Sequence, residues 1–139
     1  MKFVFLRRIN LYHFLRLSFP HLTRRIYNNT VRSPSFQGWV IGCTEQNLHA
    51  CSCAIFRREN KVKMGLFCVH PQFRDRGYGK ALYQYLCKAY TSFQWTTNTK
   101  SATAFWLKMK AKIIRTYLSN DVLHHVFVNQ RAESQEKKE

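Results

Sequence analysis

Hydrophobic and polar residues follow two different periods along this chain, and the change of period divides it into elements. From Trp39 onward, short apolar runs are separated by polar turns, which is typical of β-strands. The pattern predicts three antiparallel strands, at Trp39–Cys43, Leu48–Phe56 and Lys61–Val69. The turns between them fall at 45–47 and 57–60, and the third strand is apolar on both faces, as a central strand is.

The second half of the chain begins with a helical period. Apolar residues recur at i, i+1, i+4, i+5 and i+8, which predicts one helix face packed on the sheet. A short strand at Ser92–Thr97 and a second helix around Phe105 follow, with Asn98, Thr99 or Ser101 as its cap. The last elements form a β-hairpin. The face residues are Ala81, Leu82, Tyr85, Leu86 and Ala89, and the hairpin strands are Ile113–Leu118 and Val122–Val128.

The first 35 residues contain seven Lys or Arg and no acidic residue, interleaved with Phe and Leu. Such a basic amphipathic segment resembles a mitochondrial targeting peptide. It also fits a strand at Phe3–Ile9 and two short helices, Leu11–Leu17 and Leu22–Tyr27, split by a proline, before a loop at Asn28–Gln37. We expect an N-terminus that is import-competent, uncleaved and folded. The predicted location is the mitochondrion, with the nucleus or cytoplasm as alternatives.

These patterns divide the chain into three parts. Residues 1–35 form the basic N-terminal segment, residues 36–130 form the main domain, and residues 131–139 form a polar tail that we expect to be disordered. The length of 139 residues is enough for one hydrophobic core. No apolar run approaches the length of a membrane-spanning helix.

The charge of the chain is strongly unbalanced. Lys and Arg number 23 and Asp and Glu 7, which gives a formal net charge of +16. This excess favours acidic partners, such as RNA, DNA, an anionic membrane or a large acidic assembly. A generally soluble basic surface is the alternative. The five cysteines are odd in number and lack CxxC spacing, so they indicate buried thiols in a reducing compartment and no metal site.

The stretch from Val69 to Leu82 carries the chemistry that the sequence makes most specific. A strand leads into a turn with two glycines, Gly77 and Gly79, and a helix follows at once. Glycine allows close approach of the backbone, and the free N–H groups of a helix start favour a phosphate. The glycine spacing excludes a P-loop, and the absence of a third glycine argues against a dinucleotide fingerprint.

The signature Q/R-x-x-G-x-G/A is present here as Arg74-x-x-Gly77-x-Gly79, after Val69-x-Pro71. It resembles the core motif of the GNAT superfamily of acetyl-coenzyme A-dependent N-acetyltransferases. The resemblance implies an α+β fold, with a mixed, mostly antiparallel twisted sheet of about six to seven strands and helices on both faces. It also implies acetyl-CoA between two splayed strands, held by Phe67, Cys68, Val69, Arg74, Asp75, Arg76, Gly77, Tyr78, Gly79, Lys80, Asn98 and Phe105.

A second GNAT motif, A-x-x-L/F-Y-x-K-x-G-F, is matched more loosely through Ala102, Phe105 and Lys108. The family's tyrosine, which protonates the leaving thiolate, aligns with Trp106, whose indole is no usable acid. Lys110 and Ala111 stand where the motif ends in Gly-Phe.

Residues that accept or donate protons are harder to assign. Tyr78 and Tyr117 are the substitutes for the missing tyrosine. His49 and His70 are the better candidate bases, although a surface or packing role is favoured for each, and no base is clearly identified. A backbone N–H after a strand bulge near 68–70 is expected to polarise the carbonyl, and Asn98 is either a contact to the pantetheine arm or a helix cap.

Two functions of different classes follow. The first is an N-acetyltransferase that moves an acetyl group from acetyl-CoA to an amine of a protein or small molecule. The alternative is a catalytically degenerate GNAT-fold subunit of a large mitochondrial assembly, such as a ribosome or respiratory complex. A plain nucleic-acid-binding module is less well supported, because groove-reading and stacking motifs are missing.

Overall fold

Seven strands form one sheet in the order β1-β2-β3-β4-β5-β7-β6. Neighbouring strands are antiparallel except β4 and β5, which are parallel. The computed structural model describes residues 1–129. Its strands are β1 (Lys2–Leu6), β2 (Phe36–Cys43), β3 (His49–Arg58), β4 (Lys61–Val69), β5 (Gln94–Thr97), β6 (Lys112–Ser119) and β7 (Val122–Val128), and its helices are α1 (Tyr12–Arg16), α2 (Arg24–Val31), α3 (Tyr78–Ala89) and α4 (Lys100–Lys108).

The α+β fold with a mostly antiparallel sheet is confirmed, and so are the three antiparallel strands of its centre. The predicted loop at Asn28–Gln37 is wrong at both ends, because α2 continues to Val31 and β2 begins at Phe36. Thr23 caps α2 by accepting a hydrogen bond from the N–H of Ile26 at 3.1 Å. This cap starts the helix two residues later than expected, and the helix also ends later.

Two hydrophobic cores lie on opposite faces of the sheet, because alternate residues of a strand point to opposite sides. Cys51, Cys53 and Ile55 of β3 belong to the core under α3, whereas Ala54 belongs to the core under α1 and α2. Helices therefore cover both faces, as expected. The buried face of α3 centres on Leu82, Tyr83 and Leu86, and Ala89 is exposed, which corrects the predicted face.

The N-terminal segment is part of this fold. Strand β1 pairs antiparallel with β2 and ends at Leu6, three residues earlier than predicted. Leu15 of α1 and Tyr27 of α2 are buried in the second core. Residues 1–35 therefore form a strand and two short helices, as one of the two interpretations of their sequence predicted. Import into mitochondria stays a prediction.

Strands β4 and β5 pair over a very short length, and the site described below lies beside the part of β4 that β5 does not pair with. They share only one paired position, Lys63 with Gln94 near the start of each strand. The rest of β4 pairs with β3 alone. Lys61 and Lys63 are exposed, so the first part of β4 is not buried on both faces as predicted.

Some expectations concern the ends of the chain. The polar tail predicted for 131–139 lies outside the described residues. In the described part of the chain, no helix is both long enough and apolar enough to cross a membrane.

Candidate active site

A cleft of about 500 Å³ opens beside the end of β4, beyond the position at which β4 pairs with β5. Four parts of the chain form it: the connection between α1 and α2, the end of β4, the loop before α3, and one face of α4. We call it the β4–α3 cleft. Its lining residues are Ser18, Phe19, Phe67, Cys68, Val69, Phe73, Arg74, Asp75, Gly77, Tyr78, Gly79, Lys80, Ser101, Ala102, Phe105 and Trp106.

The loop before α3 has the backbone geometry of an anion-binding turn. Asp75 and Gly77 both have left-handed backbone angles, with φ of 62° and 84°. Gly77 is the N-cap of α3, no side chain caps the helix, and no acidic residue lies in its first turn. The N–H groups at the start of α3 are therefore left without a capping side chain, at the positive end of the helix dipole.

Gly79 controls how closely α3 approaches the walls of the cleft. A Cβ atom built at this position would lie 3.4 Å from both Phe105 and Val69. A larger side chain would push these residues apart or fill the space between them. The two glycines therefore have different roles, since Gly77 provides the turn and Gly79 the close contact.

A β-bulge interrupts β4 beside the cleft. Ser52 pairs with Cys68 and Ala54 pairs with Gly65, so two residues of β4 face one of β3. Leu66 within the bulge has a φ of 50°, which is unusual for a leucine. The bulge ends just before Cys68, so the residue that follows it lies in the range 68–70 expected for the carbonyl-polarising N–H.

Arg74 joins the two sides of the cleft. Its guanidinium donates to Ser18 Oγ at 3.2 Å and to the carbonyl oxygen of Val69 at 3.5 Å. Ser18 Oγ also donates to that carbonyl at 3.3 Å. The predicted phosphate contact thus also fixes the α1–α2 connection to the end of β4. Sequence reasoning missed Ser18 and Phe19, because no local pattern links them to a motif some 50 residues away.

The structure does not bring the two candidate histidines into the cleft. His49 stacks on Phe14 with ring centroids 3.5 Å apart, and its Nε2 is buried without a hydrogen-bond partner. Burial lowers the pKa of His49 to about 4. His70 Nδ1 accepts a hydrogen bond from the N–H of Gln72 at 3.0 Å, so the neutral ring carries its proton on Nε2. Neither His49 nor His70 belongs to the lining of the cleft.

Other predicted residues separate into two groups. Tyr78 and Phe105 line the cleft, as expected. Tyr117 lies on the edge strand β6, stacked on His124, away from the cleft lining. Asn98 and Arg76 also lie outside that lining, and Thr99 rather than Asn98 caps α4, accepting from the N–H of Ala102 at 3.2 Å.

The side chain of Trp106 lines the cleft and also belongs to the hydrophobic core under α3. It is buried and packs against Trp95 and Phe67, at centroid distances of 4.6 and 4.8 Å. The position aligned with the family's tyrosine therefore does face the cleft. The sequence signal for this placement is the alignment of Trp106 with the family's tyrosine.

Cys68 is the one thiol in the cleft lining. Burial raises its pKa to about 11, despite its contact with Ser52 Oγ at 3.7 Å. The thiol is therefore protonated at neutral pH. Since the thiolate is the nucleophilic form, Cys68 is poorly suited to carry an acyl group.

Comparison with known proteins decides the family. The family model for the acetyltransferase (GNAT) domain matches residues 34–110, more than half of the 139 residues. The chain belongs to the GNAT acetyltransferase family. GNAT enzymes use acetyl-CoA, so the predicted cofactor and enzyme class are confirmed. No curated protein matches the sequence of this GNAT chain.

Solved structures share the GNAT fold at low sequence identity. An aminoglycoside 6'-N-acetyltransferase complexed with coenzyme A is 14% identical, with a TM-score of 0.75 and coverage of 93% of this chain and 96% of that chain. The ribosomal-protein-S18-alanine N-acetyltransferase of Escherichia coli is 11% identical, with a TM-score of 0.67 and 92% of each chain covered. A spermidine N-acetyltransferase variant from Vibrio cholerae is 10% identical, with a TM-score of 0.71 over 100% of both chains.

Proposed function

We propose that this chain transfers the acetyl group of acetyl-CoA to an amine on an acidic protein, within a ternary complex at the β4–α3 cleft. The observation that carries the proposal is the uncapped start of α3 beside the separated strands β4 and β5. Peptide N–H groups there suit the pyrophosphate, and the gap between the strands suits the extended pantetheine arm.

The reaction forms a C–N bond and breaks the thioester C–S bond, and the amine loses a proton. Because Cys68 is a neutral thiol, direct attack by the amine is favoured over an acyl-cysteine intermediate. A lysine-like amine with a pKa near 10.4 costs about 4 to 5 kcal/mol to deprotonate at pH 7. With His49 and His70 outside the cleft lining, we propose that the amine arrives neutral and that its final proton goes to water.

Departure of the thiolate needs less help than deprotonation of the amine. A thiol with a pKa of about 8.5 leaves as its anion with a penalty of about 2 kcal/mol at pH 7. Trp106 in place of a tyrosine therefore fits a slower enzyme more readily than an inactive one. The positively charged loop formed by Arg74, Arg76 and Lys80 also favours the anionic products of this step.

The net charge of +16 supports the acidic acceptor. Like charges repel, so a polyamine or a basic peptide would meet an unfavourable field, whereas an amine surrounded by carboxylates would be attracted. No residue in the cleft has to be invoked for this preference, since it arises from the whole surface.

A matched pair of variants tests the cofactor site. Gly77→Asn and Gly77→Asp have nearly the same shape, both residues tolerate a left-handed backbone, and a Cβ at Gly77 meets nothing within 4 Å. We expect calorimetry to show micromolar acetyl-CoA binding for the natural chain. Asn should bind within a few-fold of this, and Asp at least about tenfold more weakly, because one carboxylate faces the phosphates.

Two results would oppose the proposal. Equal binding by both variants would place the phosphates elsewhere, and no binding by the natural chain at millimolar acetyl-CoA would remove the enzyme function. Release of coenzyme A with a panel of acidic peptides, measured in the same samples, separates binding from turnover.

A coenzyme A-binding subunit without turnover is the second candidate. It is favoured by the placement of His49 and His70 outside the cleft lining and by Trp106 in place of a tyrosine. Tight binding combined with no coenzyme A release for any amine would support it. A large assembly in the mitochondrion would then be the place to look for its partners.

A further inference from the structure

A second pocket, separate from the cleft, is lined by three arginines. It has a volume of about 430 Å³ and lies between the segment after β1, the end of α2 and the strand β2. Arg7 and Arg8 come from the first of these, and Arg32 from the second. We call it the arginine pocket. It shares no lining residue with the β4–α3 cleft.

The three guanidinium groups are exposed and have no bound partner of their own. None of the residues lining the pocket is acidic, and the first 44 residues of the chain contain no Asp or Glu. Among residues 1–129, no hydrogen bond, ion pair or ring contact engages the side chain of Arg7, Arg8 or Arg32. Three like charges held close together without a counter-charge favour an anion between them.

The floor of the pocket is aromatic and rigid. Trp39 is fully buried, stacks on Tyr27 at 6.1 Å and meets Phe36 edge to face at 5.4 Å. Its Nε1 donor is buried without an acceptor in the described part of the chain. Tyr27 is fixed in turn, because its hydroxyl accepts from the N–H of Leu11 at 3.0 Å. A buried indole N–H without a partner is uncommon. It shows that no hydrogen-bond acceptor of the protein lies within reach of Trp39 Nε1 in the described part of the chain.

The charge balance decides the kind of ligand. The carboxyl end of α2 contributes a partial negative charge of about −0.5, which is far smaller than the three full charges of the arginines. A phosphomonoester carries nearly two negative charges at neutral pH and offers three oxygens to planar guanidinium donors. Pockets for small ligands typically measure about 300 to 1,000 Å³, so this one has room for the phosphate and a small attached group.

We propose that the arginine pocket is a second anion site, which binds the phosphate of a small phosphomonoester through Arg7, Arg8 and Arg32. The site is independent of acetyl-CoA and of the acetyl transfer proposed above. A phosphodiester of a nucleic acid presents the same oxygens with one charge fewer, and the experiment distinguishes the two sources.

Indole N–H signals provide the test, because the chain has only three tryptophans. One is Trp39 at the arginine pocket, and another is Trp106 at the cleft. We expect inorganic phosphate and phosphoserine, added to ¹⁵N-labelled full-length chain at constant ionic strength, to shift the Trp39 indole signal in a saturable way. Dephospho-coenzyme A, which keeps the pyrophosphate but lacks the phosphomonoester of coenzyme A, should shift the Trp106 signal instead, so failure of the cleft and failure of the arginine pocket are read separately.

Matched variants assign the contacts. Arg8→Gln and Arg32→Gln should each weaken phosphoserine binding about tenfold or more, as expected for loss of a hydrogen bond to a charged group. Arg25→Gln is the control, since Arg25 is exposed on α2 and outside the pocket lining. All three side chains are exposed, so the variants should fold, and calorimetry gives the same affinities by a second method.

Three results would overturn the proposal. The first is a Trp39 signal that does not move, or that moves equally with chloride of the same ionic strength. The second is an equal loss in Arg25→Gln. The third is a short single-stranded RNA that shifts Trp39 with the same arginine dependence while phosphoserine does not, which would assign the pocket to a nucleic-acid backbone.

Discussion

His49 lies in surroundings that oppose its protonation. Its ring stacks on Phe14, and its Nε2 is buried without a partner. Burial is the largest cause of its low pKa, and the nearby His70 acts in the same direction. The pKa falls from 6.5 to about 4 in the folded protein. His49 is therefore a neutral packing residue between α1 and β3.

This pKa makes a prediction for stability in acid. Between about pH 6.5 and pH 4 the unfolded chain binds a proton at His49 that the folded chain does not, so this residue lowers stability as the pH falls through that window. In His49→Gln we expect a smaller loss of melting temperature across this range than in the natural chain. Thermal unfolding at several pH values measures it.

His21→Gln is the control for this experiment, because His21 is exposed. It should follow the natural chain at every pH. If His49→Gln loses as much stability in acid as the natural chain does, the imidazole is accessible to protons and our description of its environment is wrong.

At the scale of single residues, the spacing of residue types predicted features that depend on near neighbours in sequence and missed those that depend on contacts between distant segments. Gly77 and Gly79 were identified because their separation and the helix that follows are both visible in sequence. Leu66 was not, since a left-handed leucine violates its own preference and is held there by the pairing of β4 with β3. Ser18 was missed because its contact with Arg74 spans 56 positions.

At the scale of elements, α4 is the one that links the core to the cleft. Thr99 fixes its start, and Trp106 on its inner face packs against Trp95 and Tyr83. The same side chain lines the cleft. A change at this position therefore affects packing and chemistry together, and a matched pair is needed to separate them.

Trp106→Tyr and Trp106→Phe form that pair, because they leave similar space and differ by one hydroxyl. Both should lose stability by about 1 to 3 kcal/mol, since a buried indole is replaced by a smaller ring. If the position faces the leaving thiolate, the Tyr variant should turn over at least about tenfold faster than the Phe variant. Initial rates of coenzyme A release at saturating substrate measure the difference.

Acetyl-CoA affinity provides the control, because both variants should bind it equally. Equal turnover at equal affinity would show that no proton donor acts from this point of α4. The hydroxyl would then have to come from Tyr78 or from water.

Whole elements were easier to predict than their ends. The bounds of β4, Lys61–Val69, were confirmed, although its first part is not buried on both faces. The predicted end of α2 was wrong. Residues 28–30 have a polar sequence typical of a loop, but the helix continues through them to Val31, which packs against the second core. Local propensity is a weak guide where tertiary packing supplies most of the stability.

At the scale of the molecule, the charge is spread over the surface and not concentrated at the cleft. Basic side chains occur in the N-terminal segment, at the strand ends on both sides of the β3–β4 turn, in the loop before α3 and at the end of α4. The composition alone predicted this positive electrostatic field, because the net charge does not depend on the fold. It could not predict that three of the arginines would meet in one pocket, since that depends on how β1 and α2 are brought together.

A field of this kind should select acceptors by charge. For two peptides with the same amine, one flanked by Glu and one by Lys, we expect kcat/KM to favour the acidic peptide by about tenfold or more at low salt. The preference should shrink as salt rises, because the screening length falls from about 30 Å at 0.01 M to about 3 Å at 1 M. Steady-state rates at several ionic strengths measure both effects.

The salt dependence separates a field from a specific contact. A preference that arises from the whole surface acts over long distances and must collapse when screened, whereas a carboxylate bound directly by an arginine in the cleft would keep much of its effect. Lys88→Gln, on the exposed end of α3, and Arg74→Gln, in the cleft lining, test the two origins. If the field is responsible, both should reduce the preference by similar small factors. A large loss confined to Arg74→Gln would instead place acceptor selection in the cleft itself.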